Sequence, residues 1–234
     1  MKKWLTVIGG LFSLLSNATS AEEAGIVFGQ STRLIFSLEK SAERLSVRND
    51  SENHYLLHTK VLSSDNDRTL NTEFMVTPEV FELKPKERTT LTVRRLGGDY
   101  PTDRESLLYV VGRFIPNSTT PSTSNKFELA YSITMKMFLR PKALNVVDAI
   151  EASKEKVDFS YQDKKLIIKN QSPYYMTFYE LKVNGKEIQV PKHLKMLAPF
   201  GTNTLEYSGV PRKIEWSFIG DSGYETPQSQ RILR

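Results

Sequence analysis

Residues 127–141 read FELAYSITMKMFLRP, and this stretch decides the fold class. Phe127, Leu129, Tyr131, Ile133 and Met135 alternate strictly with polar or small residues, a period of two that is typical of a β-strand with one face in a core. The preceding residues 116–126 contain only Pro, Asn, Ser, Thr and Lys, so they predict a loop with nothing to anchor it. From the pattern alone, an ordinary core strand after a surface loop is the simpler interpretation.

Six further β-rich runs precede this strand and are separated by polar or turn residues. They cover residues 26–38, 44–48, 55–62, 73–76, 89–94 and 107–115. Seven short strands without helical periodicity predict one immunoglobulin-like β-sandwich.

A second, smaller β domain is predicted after Arg140-Pro141. Residues 147–156 are rich in Ala, Glu and Lys and predict a linker with one helical turn. Asn184-Gly185 predicts a type I′ hairpin, because both turn positions need positive φ. Strand-like runs cover residues 157–161, 165–169, 174–183, 186–190, 203–207 and 213–218. We therefore expect an all-β protein with domains over residues 22–145 and 146–234.

The first 21 residues have the order of a secretory signal. Lys2 and Lys3 precede a 12-residue apolar run, residues 4–15, and small residues follow to Ala21. A first helix of a cytosolic domain is the weaker alternative, because the run is apolar on every face. The run is shorter than the roughly 20 residues that span a bilayer. We expect residues 1–21 to be cleaved on export and the mature chain not to insert in a membrane.

Composition and charge exclude several functional classes. Without residues 1–21 the chain has 30 Lys and Arg against 27 Asp and Glu, a net charge of +3. These charges are interleaved along the chain, so nucleic acid is not an expected partner. The sequence has no Cys, which excludes zinc fingers, iron–sulfur clusters and cysteine nucleophiles. No cofactor is expected.

Three sequence patterns resemble parts of catalytic or metal sites, but each lacks a feature that such a site needs. Residues 220–223, Gly-Asp-Ser-Gly, match the surroundings of a serine-protease nucleophile, but no histidine lies in a setting for a base. His54 and His58 are four apart on a predicted strand, roughly 13 Å, which is too far for one metal ion. Asp103 and Glu105 have no pocket-forming sequence beside them. We expect neither a catalytic nor a metal site.

Six short motifs, in order along nearly the whole chain, resemble one family. They are STRLIF (31–36), VTPEVFELKP (76–85), PTDRESL (101–107), IP (115–116), TMKMFLRP (134–141) and NQSPYY (170–175). With these motifs the chain resembles the PapD-like periplasmic chaperones of the chaperone–usher pilus pathway.

The resemblance implies two immunoglobulin-like domains at an angle with a cleft between them. It also implies a binding function without chemistry, with pilus or fimbrial subunits and an outer-membrane usher as partners. Self-association of the free form is left open. The alternative is a secreted immunoglobulin-like adhesin or fibre subunit, although both domains look complete.

The resemblance assigns roles to three sets of residues. Arg33 and Lys136 match the positions that bind the C-terminal carboxylate of the subunit. A charge network joining the two domains is implied for Glu105, Arg140 and Asp221. The strand donated to the subunit would present Phe127, Leu129, Tyr131 and Ile133. Whether Thr77-Pro78 is a cis peptide is left open, because relatives have a second proline where this chain has Glu79.

Overall fold

The computed structural model describes residues 25–117 and 129–233. The predicted signal segment, residues 1–21, and Phe127 lie outside the described residues, as does most of the predicted loop before the alternating strand.

Within the described residues of the first domain, nine strands form two packed sheets. They are β1 (Ile26–Phe28), β2 (Arg33–Ser37), β3 (Ala42–Asn49), β4 (Tyr55–Leu62), β5 (Phe74–Thr77), β6 (Val80–Leu83), β7 (Arg88–Arg95), β8 (Ser106–Pro116) and β9 (Tyr131–Arg140). One sheet has the order β1-β3-β7-β5 and the other the order β2-β9-β8-β4-β6. The inward-facing side chains of the two sheets form one apolar core, with Phe36, Leu57, Leu91 and Phe114 fully buried.

The first predicted run, residues 26–38, is two strands rather than one. β1 pairs with β3 in one sheet, whereas β2 pairs with β9 in the other. The chain changes sheets at Gly29, whose φ of +95° lies in the left-handed region that glycine adopts without strain. Both segments are rich in β-formers, so their composition does not show the break.

In the second domain, as described up to residue 233, there are eight strands. They are β10 (Val157–Gln162), β11 (Lys165–Asn170), β12 (Met176–Val183), β13 (Lys186–Glu187), β14 (Met196–Leu197), β15 (Thr202–Glu206), β16 (Lys213–Phe218) and β17 (Ser229–Ile232). One sheet has the order β10-β11-β15 and the other the order β13-β12-β16-β17, with β14 beside β12. Their separate core surrounds the fully buried Trp216. The all-β, two-domain prediction is therefore confirmed.

Short helices and tight turns connect these strands. A 3-10 helix (Lys142–Leu144) and one α-helix, α1 (Ala149–Ser153), lie between the domains, and a second 3-10 helix (Lys192–Leu194) precedes β14. Asn184 and Gly185 have φ values of +53° and +76°, and they join β12 to β13 as the hairpin pattern predicts. The Thr77-Pro78 peptide is cis.

Candidate functional site

A buried ionic network joins the end of β9 to the second domain. Arg140 Nε donates to Glu105 Oε1 at 2.8 Å, and the two terminal nitrogens of Arg140 donate to the two oxygens of Asp221, each at 2.8 Å. Arg140 and Glu105 are each only 2% exposed. Burial alone would lower the pKa of Arg140, but the bonds to Asp221 and the charge of Glu105 raise it. The structure thus brings together the three residues named for an interdomain network.

Backbone groups complete this contact. Glu105 Oε2 accepts from the backbone N–H of Tyr175 at 2.8 Å, and the backbone N–H of Glu105 donates to Pro173 O at 2.9 Å. A buried carboxylate needs hydrogen-bond partners, and Glu105 finds them in both domains. The network therefore fixes the ends of the strands of the two domains relative to each other.

The Gly-Asp-Ser-Gly segment forms a tight turn that lies against the residues just before β2. Ser31 Oγ donates to Ser222 O at 2.9 Å. Gly223 has a φ of +87°, and a Cβ there would lie 2.5 Å from Ser31 Oγ. Asp221 is engaged by Arg140. This segment therefore packs the two domains together through its backbone and one carboxylate.

Arg33 and Lys136 are opposite each other on the parallel strands β2 and β9. Arg33 is 7% exposed, its guanidinium lies 5.3 Å from the ring centre of Phe138, and its Nε has no hydrogen-bond partner among the described residues. Burial lowers the pKa of Arg33 to about 10. Burial and then the charge of Arg33 lower the pKa of Lys136. Asp221 and Glu105 act favourably on Arg33, and Asp65 on Lys136, but in the described residues no carboxylate forms an ion pair with either cation within 4.0 Å.

The apolar side chains along β9 and just before it become more exposed toward the N-terminal end of the strand. Met137 and Met135 are buried, Ile133 packs partly against the core, Tyr131 is 39% exposed and Leu129 is 70% exposed. Three of the four residues named for a donated strand thus follow one face, and the fourth, Phe127, lies outside the described residues.

Tyr131 is held in place although it is partly exposed. Its ring stacks on Phe114 with centroids 5.4 Å apart, and it meets Tyr55 edge-on at 6.0 Å. Burial and the neighbouring Tyr55 raise the pKa of Tyr131 to about 12. The exposed apolar face is thus anchored by aromatic contacts at its outer end.

One edge of β9 is only half paired. On one side β9 pairs with β8 from Tyr131 to Leu139. On its other side the pairing with β2 begins at Lys136 and continues to Arg140. Within the described parts of the chain, residues 131–135 have no strand on that second side.

Two features of the domain junction were not predicted from the sequence: an aromatic contact and a pair of lysines. The rings of Phe138 and Tyr175 pack 5.7 Å apart and connect β9 to the start of β12. Lys192 and Lys195, from the second domain, also lower the pKa of Lys136. Phe138 was detectable as an apolar residue on the otherwise polar face of β9, whereas the two lysines look like ordinary surface charges.

Two family models match the chain, one for each domain. Residues 26–145 match "Pili and flagellar-assembly chaperone, PapD N-terminal domain", and residues 152–230 match "Pili assembly chaperone PapD, C-terminal domain". The chain belongs to the PapD family of pilus-assembly chaperones. The exact domain limits at residues 22, 145 and 146 stay predictions.

Similar proteins agree with this assignment. The probable fimbrial chaperone ElfD of Escherichia coli K12 is 29% identical over 216 residues, which cover 91% of this chain and 89% of ElfD. A chain of the Salmonella enterica SafA pilin–SafB chaperone complex is 29% identical, with a TM-score of 0.78 and coverage of 89% and 96%. The Escherichia coli chaperone DraB is also 29% identical, with a TM-score of 0.77 and coverage of 89% and 98%.

The protein is therefore a pilus-assembly chaperone of the chaperone–usher pathway, whose members are periplasmic, and its partners are fibre subunits. The family is not enzymatic, and the alternative of an adhesin or fibre subunit is not favoured. Within residues 25–117 and 129–233, no helix has the length and apolar character needed to cross a membrane.

Proposed function

We propose that this chaperone holds a fibre subunit by lending it the free edge of β9, while Arg33 and Lys136 bind the C-terminal carboxylate of the subunit. The observation that carries the proposal is the half-paired edge of β9, which in the described part of the chain is open over residues 131–135 and closes at Lys136. An incoming strand could continue the line of β2 along this edge.

Strand addition explains why such an edge is present. Unpaired N–H and C=O groups along an edge favour pairing with another chain, and proteins normally shorten, charge or cover such edges. Here the edge lies beside the exposed apolar side chains Leu129 and Tyr131. An incomplete subunit would gain backbone hydrogen bonds from the edge and side chains for its own core, a mode of recognition of which chaperone–pilin pairing is a standard example.

The positive charges of Arg33 and Lys136, where the free edge of β9 ends, are suited to bind the C-terminal carboxylate of a subunit. A carboxylate beside Arg33 and Lys136 would receive charge-assisted hydrogen bonds and would relieve the repulsion between the two cations. The unpartnered Nε of Arg33 is one available donor. Anchoring one end also fixes the register, because a slip of one residue would turn the apolar side chains to the opposite face.

The Glu105, Arg140 and Asp221 network would set the position of this site. Arg140 is the last residue of β9, four residues after Lys136 on the same strand. Its bonds to Asp221 tie that strand end to the second domain. The network would therefore fix the angle between the domains and the space left for the subunit terminus.

Export and delivery complete the proposal. Residues 1–21 would direct the chain to the periplasm and be removed there, because they have the order of a secretory signal. The loaded chaperone would then deliver its subunit to an outer-membrane usher, as the pathway requires.

Hydrogen exchange of the free chaperone and of its complex with its fibre subunit tests the strand addition. Amides of residues 131–135 should exchange more slowly in the complex, whereas those of β17, an edge strand of the second domain, should be unchanged. Unchanged exchange in residues 131–135 would overturn the proposal.

A further inference from the structure

The domain junction contains more positive charge than one carboxylate requires. Arg33 and Lys136 belong to the first domain, and the charges that act on Lys136 include Lys192 and Lys195 of the second. Among the groups acting on the pKa of Lys136, only Asp65 is acidic, and the two carboxylates that act on Arg33, Asp221 and Glu105, are already bound to Arg140. In the described part of the chain neither Lys192 nor Lys195 forms an ion pair within 4.0 Å, and both are exposed.

The topology places the segment with these lysines beside the part of the second domain that contacts β9. The Phe138–Tyr175 contact, at 5.7 Å, connects β9 to the chain just before β12. Two residues after Tyr175, Thr177 pairs with Met196 in β14, which directly follows Lys195. Residues 192–197 therefore run beside the strand that meets β9 at the junction.

The backbone that carries the lysines is fixed. Lys195 O accepts from the backbone N–H of Phe178 at 2.9 Å. Asn203 Nδ2 donates to Leu194 O at 2.8 Å and to Met196 O at 3.3 Å. A fixed backbone therefore holds the Cα positions from which both lysine side chains extend.

Each domain has one buried side-chain polar atom that is unpartnered within the described residues. Two buried side-chain polar atoms lack hydrogen-bond partners in the described residues, namely Arg33 Nε on β2 and Thr177 Oγ1 on β12. Both residues are more than nine-tenths buried. Buried polar groups are normally satisfied, so the unsatisfied Nε of Arg33 leaves a donor for a polar ligand beside the cation pair, and Thr177 lies two residues after Tyr175, which contacts β9.

We propose that Lys192 and Lys195 form a second anionic subsite, which binds an acidic side chain near the C-terminus of the subunit. This inference rests on the proposed function, because it requires the terminal carboxylate to lie at Arg33 and Lys136. The preferred partners are subunits with Asp or Glu among their last few residues. Such a residue would add a second negative charge to a cluster that one carboxylate leaves positive.

Synthetic peptides with an apolar–polar alternation and a free C-terminus test this subsite. One peptide series has Glu, and the matched series Gln, at each of the last four positions before the terminal residue. With the unaltered chaperone, the Glu peptide should bind at least fivefold more tightly than its Gln partner at one position or more. The double variant Lys192→Glu, Lys195→Glu should lose or reverse this preference.

The control variant Lys169→Glu, Lys186→Glu has the same charge change on β11 and β13 of the second domain, outside residues 192–197. It should keep the preference for Glu.

C-terminal amidation of the peptides separates the two proposals. If amidation weakens binding but Glu and Gln peptides bind equally, the subsite is wrong and the carboxylate site stands. If amidation has no effect, or no peptide binds, the proposed function fails and this inference fails with it.

Discussion

Arg33 and Lys136 lie directly opposite each other on parallel strands, and the pairing of β2 with β9 starts at this pair. The free edge of β9 ends at the same point, so the two cations mark where an added strand would have to stop. Charge and edge together define one continuous site in which a chain terminus sets the register of strand pairing.

Replacement of Lys136 by Met should abolish subunit binding without unfolding the chaperone. Loss of one partner of a desolvated charge pair costs about 2–5 kcal/mol of binding free energy. The free variant should be as stable as the parent or slightly more so, because the repulsion from Arg33 is removed. Calorimetric titration with the subunit and thermal unfolding measure the two effects. Lys60→Met, on β4, which β8 separates from β9 in the same sheet, should bind normally.

The pH dependence of binding should follow Lys136. Its pKa in the free protein is below 10.5, because burial and neighbouring cations disfavour the charged form. A bound carboxylate favours the charged form, so affinity should fall as the pH rises through this lowered pKa. Titration from neutral pH to pH 10.5, the ordinary lysine pKa, should show the loss, and Lys136→Arg should move it to higher pH. An affinity that stays constant over this range in the unaltered chaperone would contradict the assignment.

Leu129→Asp should weaken binding while leaving the fold intact. Leu129 is 70% exposed in the free chain, so its replacement costs little stability, but a charge cannot enter an apolar groove of the subunit. We expect the dissociation constant to rise roughly tenfold or more, because a buried leucine contributes about 1.5–3 kcal/mol. Ser132→Asp places the same charge on the opposite face of β9 and should have a smaller effect. Equal losses for both variants would show that this face does not enter the subunit.

Arg140→Met should destabilise the chaperone strongly. It leaves the carboxylates of Glu105 and Asp221 without their cation, and breaking a buried pair in this way costs about 3–5 kcal/mol. Urea denaturation measures the free energy of unfolding. Lys142→Met removes the exposed bridge to Glu39 and should have no measurable effect. Similar stabilities for the two variants would show that the network is dispensable.

The fold was largely predictable because its signals are local. The alternation through Ile133 and Met135 and the Asn184-Gly185 turn depend on neighbouring residues only, and the structure shows both. β6 (Val80–Leu83) was missed because Pro78 and two glutamates interrupt its pattern, and β17 (Ser229–Ile232) because its sequence, SQRI, is mostly polar.

The residues of the site were harder to predict from the sequence than the fold. Arg33, Lys136 and the residues of the network were named only through the family resemblance, since isolated charges on strands usually face solvent. The Phe138–Tyr175 contact and the charges of Lys192 and Lys195 depend on how two domains meet. No local pattern encodes a contact between residues so far apart in the chain.

A crystal structure of the chaperone with its fibre subunit tests the central claim most directly. The proposal predicts a subunit strand paired along residues 131–135 of β9, with its C-terminal carboxylate within hydrogen-bond distance of Arg33 and Lys136. A subunit terminus away from both cations, or an unpaired β9 edge in the complex, would contradict it.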